Sequence, residues 1–215
     1  MKIVVYAIAQ NESSFVDRWM DSMSEADQVV VLDTGSDDGT AERLRARGAR
    51  VAVEQIIPWR FDRARNRSLE LVPEDADVCV CTDLDEMFRP GWRTALEQAW
   101  TPGTSQAQYR YTWSFQPDGS EGVVFWQEKI HARRGFRWVH PVHEVLEWVG
   151  EGERGPLALV QGVQLDHHPD PQNPGVSTCP CWSCRWRRTR RTTGTSTTWA
   201  GSTSTTAGGT TASAP

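Results

Sequence analysis

Short apolar segments that alternate with amphipathic stretches constrain the fold of this chain more than any other feature. The apolar segments are residues 2–8, 28–33, 50–54 and 77–82. Continuous apolar runs of this length are typical of strands that are buried on both faces of a parallel sheet. The amphipathic stretches between them predict helices. The first hundred residues therefore predict an α/β protein with helices on both faces of the sheet.

The second half of the chain has a different pattern. YRYTWSF and GVVFWQEKIHA predict two antiparallel strands joined by the turn QPDGSEG, and ALVQGVQLDHH predicts a further strand. A chain of 215 residues is long enough for one domain with a substantial core. We therefore predict one domain over residues 1–173, whose second half, residues 101–173, is rich in strands.

Residues 174–215 form a tail of different composition, because they contain five Arg but no Asp or Glu. They also lack Leu, Ile, Met, Phe and Tyr, so they cannot build a core. One interpretation is a disordered basic tail. The other is a shifted reading frame, because a neighbouring frame can encode apolar residues at helical spacing. In that case the natural protein continues with helices, and this chain is a truncated product.

Cysteines occur in two settings. Cys179, Cys181 and Cys184 have a zinc-like spacing, but no fourth ligand is evident near them. Cys79 and Cys81 alternate along an apolar run, which indicates buried thiols in a strand. Neither group implies a disulfide framework, and this agrees with a reducing compartment.

The composition excludes several classes of protein. The formal net charge of −5 argues against general nucleic-acid binding. There is no run of about 18 apolar residues that would span a membrane. Met1 leads directly into the first strand, without the features of a signal peptide. We therefore expect a cytoplasmic protein.

Acidic and polar residues follow three of the predicted strands. They are Asn11 and Glu12, then Asp33 with TGSDDGT, and then Asp83 to Glu86. Ligands of open α/β sheets bind at the carboxyl ends of the strands. Each element has an ordinary alternative, since D-x-D is common on surfaces and DTGSDDGT also suits a turn with a helix cap.

Two of these acidic residues suit a metal ion. In an extended segment, the side chains of Asp83 and Asp85 point to the same side. Two convergent carboxylates beside a phosphate-binding crevice are typical ligands of Mg²⁺ or Mn²⁺. The sequence therefore predicts a divalent cation at this strand end.

Four segments in this order carry a resemblance: AIAQNESSFVDRWMDSM, VVVLDTGSDDGT, FDRARNRSLEL and CVCTDLDEMFRPGW. Together they resemble the family 2 glycosyltransferases with the GT-A fold. The match is strong over residues 1–100 and looser over residues 101–170. It is best to the subset with an HPVHE-like segment, which helical repeats often follow.

The resemblance implies a GT-A fold, with a Rossmann-like, mostly parallel sheet and a β-rich second half. Residues 1–100 would bind the nucleotide-sugar, and residues 101–173 would contribute to the acceptor and metal sites. The implied activity is metal-dependent transfer of a sugar, with inversion, from a nucleotide-diphospho-sugar to an acceptor hydroxyl or other nucleophile. A UDP-sugar is the first candidate donor, and Mn²⁺ or Mg²⁺ the cofactor.

The resemblance also assigns residues to roles. Those implied to bind the nucleotide-sugar are Ala9, Gln10, Asn11, Glu12, Asp33, Asp37, Arg65, Asn66 and Asp83. Asp85 would ligate the metal directly, with Asp83 beside it. His143 is a further candidate ligand because neutral imidazole suits Mn²⁺, although a structural role is an alternative. His140 and His168 are weaker candidates.

Inverting sugar transfer needs a carboxylate within hydrogen-bond reach of the acceptor hydroxyl. Glu144, in HPVHE, is the first candidate and Glu86 the second. Trp138 and Trp148 flank the HPVHE segment, and they would either stack on a sugar ring or belong to the core.

Two other functions stay open. One is a nucleotidyltransferase on the same fold, although such enzymes usually have a Gly-rich loop with basic residues after the first strand, and AIAQNESS has neither. The other is a truncated, non-catalytic module that binds a nucleotide.

Overall fold

The computed structural model of the chain describes residues 1–169. The strands in this range are β1 (Ile3–Ala9), β2 (Gln28–Asp33), β3 (Arg50–Val53), β4 (Val78–Cys81), β5 (Glu86–Phe88), β6 (Gln106–Thr112), β7 (Val124–Ala132), β8 (Phe136–Val139), β9 (Val145–Trp148) and β10 (Leu157–His167). The helices are α1 (Val16–Ser22), α2 (Thr40–Ala46), α3 (Phe61–Glu70) and α4 (Trp92–Ala99). The predicted tail, its three cysteines and the frame-shift hypothesis concern residues outside this range.

Eight strands form one mixed sheet in the order β3-β2-β1-β4-β7-β6-β10-β5. Strands β3, β2, β1 and β4 are parallel, and β10 is parallel to β6. Strand β7 is antiparallel to both of its neighbours, and β5 is antiparallel to β10. The predicted α/β class is confirmed, including the parallel first half, the β-rich second half and the β6–β7 pair.

Helices cover both faces of the parallel half, because alternate residues of a strand point to opposite faces. On one face, the core contains Trp19 of α1, Leu44 of α2 and Trp92 of α4. On the other face, the core contains Tyr6 of β1 and Leu69 of α3. All seven residues of β1 are buried, which explains why this strand is apolar without alternation.

The segment after β4 differs from its prediction. The backbone N–H of Glu86 donates to the carbonyl oxygen of Asp83 at 3.1 Å, so residues 83–86 form a turn and not an extended segment. Strand β5 then begins, and Glu86 pairs with His167 of β10. The turn exists because the chain reverses here to join the far edge of the sheet.

One edge of the sheet collects an end of each of its eight strands. As the strand directions require, these are the carboxyl ends of β1, β2, β3, β4, β6 and β10 and the amino ends of β5 and β7. The order changes direction between β1 and β4, since β2 lies on one side of β1 and β4 on the other. Open α/β sheets bind ligands at such a switch point.

A separate antiparallel hairpin is formed by β8 and β9, with the HPVHE segment at its tip. Sequence analysis does not predict this hairpin. Among the helices within residues 1–169, none is long and apolar enough to cross a membrane.

Candidate functional site

The loops after β1 and β2 are joined by hydrogen bonds. The N–H of Asn11 donates to Ser36 Oγ at 2.9 Å, and Asn11 Oδ1 accepts from the N–H of Asp37 at 2.8 Å. The N–H of Glu12 donates to Thr40 Oγ1 at 2.8 Å. The structure thus brings Asn11, Glu12 and Asp37 together, as the resemblance implies.

Ala9 and Gln10 lead into these loops. Ala9 is buried at the end of β1, and its carbonyl oxygen accepts from the N–H of Thr34 at 2.8 Å. Gln10 is partly buried beside it. The two residues therefore lie at the carboxyl end of β1, where sequence analysis places them.

Asp33 ends β2 and is fully buried. Its Oδ1 accepts from the N–H groups of Gly35 at 2.9 Å and Ser36 at 2.8 Å. This turn needs a φ of 111° at Gly35, which favours glycine. The other oxygen, Oδ2, is buried without a hydrogen-bond partner. A buried acceptor left unpaired is costly, so this atom points to a ligand that donates a hydrogen bond.

A buried ion-pair network surrounds Asp83. Arg65 is 3% exposed, and its Nη2 donates to the two carboxylate oxygens of Asp83 at 2.9 and 3.1 Å. Arg65 Nε donates to Glu144 Oε1 at 2.6 Å. Lys129 Nζ lies 3.3 Å from Asp83 Oδ2. Although burial raises the pKa of Asp83, the charges of Arg65 and Lys129 lower it well below its ordinary value.

Glu86 contacts Asp83 and is almost fully buried. Its Oε2 accepts from the N–H of Asp83 at 2.9 Å, and its Oε1 accepts from Tyr111 OH at 2.9 Å and from Lys129 Nζ at 3.2 Å. The pKa of Glu86 is raised because the effect of burial is larger than the lowering effect of the positive charge on Lys129. All of these contacts fix the carboxylate in one orientation.

Asp85 is fully buried at the same strand end. Its Oδ1 has no hydrogen-bond partner, and its Oδ2 lies 3.2 Å from His167 Nε2. His167 Nδ1 lies 2.9 Å from the carbonyl oxygen of Trp113, so it donates there. In the neutral ring, Nε2 is then an acceptor that faces another acceptor. A proton or a metal cation satisfies this arrangement.

Glu12 joins the acidic cluster from the β1 side. Burial raises the pKa of Glu12 well above its ordinary value, and the negative charges of Asp85 and Asp83 add to this effect. Glu12 follows β1, and Asp83 and Asp85 follow β4, so the three carboxyl groups belong to the switch point between these strands.

The hairpin that carries Glu144 is held by α3. Asn66 Nδ2 donates to the carbonyl oxygen of Trp138 at 2.7 Å, and Asn66 Oδ1 accepts from the N–H of Trp138 at 2.9 Å. The side chain of Asn66 thus binds β8. Trp138 is buried in the core, and Trp148 packs edge to face on Phe136 at 5.3 Å.

The predicted metal ligands Asp83, Asp85 and His143 are not assembled as one group. Within residues 1–169, no group of three or more His, Cys, Asp or Glu side chains is arranged to hold a metal ion. The reason is that Arg65 and Lys129 take the oxygens of Asp83, while His143 is exposed at the tip of the hairpin with a φ of 55°.

The two weaker histidine candidates have other surroundings. His140 is exposed in the same hairpin tip. His168 stacks on Phe115 with ring centroids 5.2 Å apart, and its backbone N–H donates to the carbonyl oxygen of Asp85 at 2.7 Å.

Three residues at the site are not among those to which the sequence assigns a role: Lys129, Tyr111 and His167. Lys129 and Tyr111 lie in the antiparallel strands β7 and β6, which carry no motif of their own. His167 belongs to the LDHHP segment, and the antiparallel pairing of β5 with β10 selects it over His168. The neighbouring histidine pair is the one signal that points to this position.

No protein-family model matches the chain, and no curated protein matches it. Solved structures do resemble it. One is glucosyl-3-phosphoglycerate synthase from Mycobacterium tuberculosis with Mn²⁺, UDP and glucosyl-3-phosphoglycerate, which is 28% identical with a TM-score of 0.44. That match covers 51% of this chain and 44% of the other. The same enzyme with Mg²⁺ and UDP has a TM-score of 0.43 at 28% identity, over 51% of this chain and 43% of the other. This chain thus spans less than half the length of those structures.

A third solved structure matches more of the chain. It is described as a mycobacterial protein, and it is 19% identical with a TM-score of 0.53, over 87% of this chain and 74% of the other. The expected α/β fold class is confirmed, with a mostly parallel sheet and a β-rich second half, and this third structure shares the overall fold.

Proposed function

We propose that this chain is a metal-dependent glycosyltransferase that transfers a sugar, with inversion, from a nucleotide-diphospho-sugar to an acceptor hydroxyl or other nucleophile. The donor is a UDP-sugar. One observation carries the proposal: two buried carboxylate oxygens without partners, Asp33 Oδ2 and Asp85 Oδ1, lie at the ends of β2 and β4. These atoms flank the switch point, where a nucleotide and a metal-bound diphosphate need different ligands.

The residues present fit Mn²⁺ or Mg²⁺. Asp85 Oδ1 is a hard oxygen ligand with no other partner, and His167 Nε2 lies beside the second oxygen of the same carboxylate. Asp85 and His167 would hold the cation, and Asp83 lies in the same turn as Asp85. When bound, the cation supplies the positive charge that stabilises the departing nucleoside diphosphate.

The other residues bind and position. Asp33 Oδ2 accepts a hydrogen bond from the base or ribose of the nucleotide, and the loop of Asn11 and Asp37 encloses it. Arg65 is a positioning residue, because its donors are used by Asp83, Glu144 and Cys81 Sγ. Its charge lowers the pKa of Asp83 and so keeps that carboxylate ionised, and its Nε orients the carboxylate of Glu144.

Glu144 is the proposed base that takes the proton of the acceptor hydroxyl. It is only partly buried, and the bond from Arg65 to Oε1 orients its carboxylate. Glu86 is the second candidate. Its two oxygens are already bonded to Asp83, Tyr111 and Lys129, which favours a supporting role.

The test is nucleotide binding by the full chain, measured by calorimetry with UDP, GDP and dTDP in Mn²⁺ and then in EDTA. We expect UDP to bind only with the metal. Loss of a residue that merely supports a metal ligand costs about 10–100-fold in affinity, so Asp85→Asn should cost at least about 100-fold in metal-dependent UDP affinity.

The matched control is Asp75→Asn, which makes the same change at an exposed aspartate paired with Lys2. It should bind UDP like the wild type. Metal-independent binding of UDP by the wild type, or unchanged binding by Asp85→Asn, would contradict the proposed function.

A further inference from the structure

An aromatic surface lies beside the carboxylates and has no part in the donor site described above. Its two exposed rings are Trp113, directly after β6, and Phe125, near the start of β7. They are 40% and 41% exposed, and both pack against the buried ring of Tyr111, so they form one continuous aromatic surface. We call these two residues the aromatic platform.

Ring contacts connect the platform to the reaction centre. Trp113 stacks on His167, with centroids 4.5 Å apart and planes at 16°. Tyr111 lies between the two platform rings, 6.3 Å from Trp113 and 5.0 Å from Phe125. Tyr111 donates a hydrogen bond to Glu86, and His167 lies against Asp85. Each exposed ring therefore packs on a residue that touches a carboxylate.

The strand order places the aromatic platform away from the proposed nucleotide site, on the side of the sheet that is left for the acceptor. Strands β7 and β6 lie beyond β4, whereas β2 with Asp33 lies on the opposite side of β1. A donor whose nucleotide binds at Asp33 and whose diphosphate lies at Asp85 therefore leaves the platform free for the second substrate.

The charge of the site selects the kind of second substrate. The site holds more carboxyl groups than cations. Arg65 and Lys129 pair with Asp83, Glu86 and Glu144. Asp85 lies against His167, and Glu12 interacts electrostatically with Asp83 and Asp85. An anionic acceptor would approach an excess of like charge, which is unfavourable in a site of this kind. An uncharged pyranose has an apolar C–H face for the rings and hydroxyl groups for the carboxylates.

We infer that Trp113 and Phe125 bind an uncharged sugar ring as the acceptor, in an inference that rests on the proposed function. The acceptor ring stacks on the platform and presents a hydroxyl toward the carboxylates at the end of β4. The site thereby distinguishes a neutral glycan from a phosphorylated small molecule.

Saturation-transfer NMR on the full chain with UDP and Mg²⁺ tests this inference. The probes are methyl glucopyranosides, methyl galactopyranosides, 3-phosphoglycerate and a blocked serine amide. We expect transfer to the ring C–H protons of at least one methyl glycoside. Loss of a ring stack corresponds to about tenfold in affinity, so Trp113→Ala should bind this glycoside about tenfold more weakly, and Trp113→Phe should restore most of the loss.

Two readouts separate this role from a structural one. Binding of UDP with Mg²⁺ should change far less than glycoside binding in Trp113→Ala, because the substitution keeps the backbone carbonyl that orients His167, and Trp113→Phe also keeps a ring that can stack on it. The matched control is Trp126→Ala, since Trp126 is 46% exposed and, as the neighbour of Phe125 along the strand, points to the opposite face. It should bind the glycoside like the wild type.

The inference is wrong if UDP binds but no methyl glycoside shows transfer. Stronger transfer to 3-phosphoglycerate or to the serine amide would also overturn it, as would equal losses in Trp113→Ala and Trp126→Ala. Failure of the wild type to bind UDP with Mg²⁺ would instead overturn the proposed function, and the acceptor inference with it.

Discussion

The nucleotide side and the metal side of the candidate site are built in different ways. Asp33 is held by the N–H groups of residues two and three positions further along the chain. Asp83 is held by Arg65, 18 residues away, and by Lys129, 46 residues away. Asp85 lies against His167, 82 residues away. One turn can form the first side, whereas the second side exists only in the complete fold.

The difference follows from where the charges are buried. The carboxylates on the metal side are crowded together, and a buried charge is unfavourable unless it is paired. Local backbone donors are sufficient for a single carboxylate such as Asp33. A cluster needs cationic side chains, and these reach it only from other strands and helices.

The largest expected effect comes from breaking the long-range network at Arg65. Arg65→Met leaves the carboxylates of Asp83 and Glu144 buried without their main partner. Removing one partner of a buried ion pair costs about 3–5 kcal/mol, so the free energy of unfolding should fall by that order in urea denaturation.

The matched control lies two residues further on in the same helix. The side chain of Arg67 is 38% exposed and pairs with Glu54 and Glu70 near the surface. Exposed pairs contribute less than about 1 kcal/mol, so Arg67→Met should unfold almost like the wild type. Equal losses of unfolding free energy in the two variants would show that the buried network contributes no more stability than the ion pairs of Arg67 do.

The next effect concerns a buried histidine that anchors the hairpin of Glu144. His131 Nε2 lies 2.8 Å from Tyr6 OH, and Trp138 Nε1 donates to the same hydroxyl oxygen at 2.8 Å. Burial lowers the pKa of His131 to about 4. In the unfolded chain the pKa of histidine is about 6.5, so the unfolded state binds a proton first as the pH falls.

The contribution of His131 to stability is therefore complete above about pH 6.5 and decreases toward pH 4, by up to about 3 kcal/mol. Urea denaturation between pH 7 and pH 4 should show this decrease in the wild type and a smaller one in His131→Gln. His140→Gln, at an exposed histidine, should keep the wild-type pH dependence. Parallel curves for the wild type and His131→Gln would refute the prediction.

The smallest effect on stability is expected on the local side. Asp33→Asn keeps an oxygen that accepts from Gly35 and Ser36, so the free energy of unfolding should change by less than about 1 kcal/mol. Asp33→Ala removes both hydrogen bonds and should cost about 1–2 kcal/mol more. Calorimetry should show weaker UDP binding in both variants, since both lack the free carboxylate oxygen. An Asn variant as unstable as the Ala variant would mean that the charge itself holds the turn.

The sequence predicts the parallel half well because its signals are local. Apolar runs identify β1, β2 and β4, and the polar residues that follow them lie at one edge of the sheet, as expected. The turn at residues 83–86 is not predicted, because pairing of β5 with β10 imposes it. Lys129 is missed for a similar reason, since a lysine in an antiparallel strand carries no signal of what it faces.

The sequence by itself determined which residues reach the edge of the sheet, because strand ends follow from the spacing of apolar and polar residues along the chain. It placed Asp33, Asp83 and Asp85 there with the loop of Asn11. Only the tertiary structure decided which groups meet: Arg65 with Asp83 and Glu144, and His167 with Asp85. The physical reason is that pairing between residues 18 to 82 positions apart depends on strand order and register, which the whole core sets together.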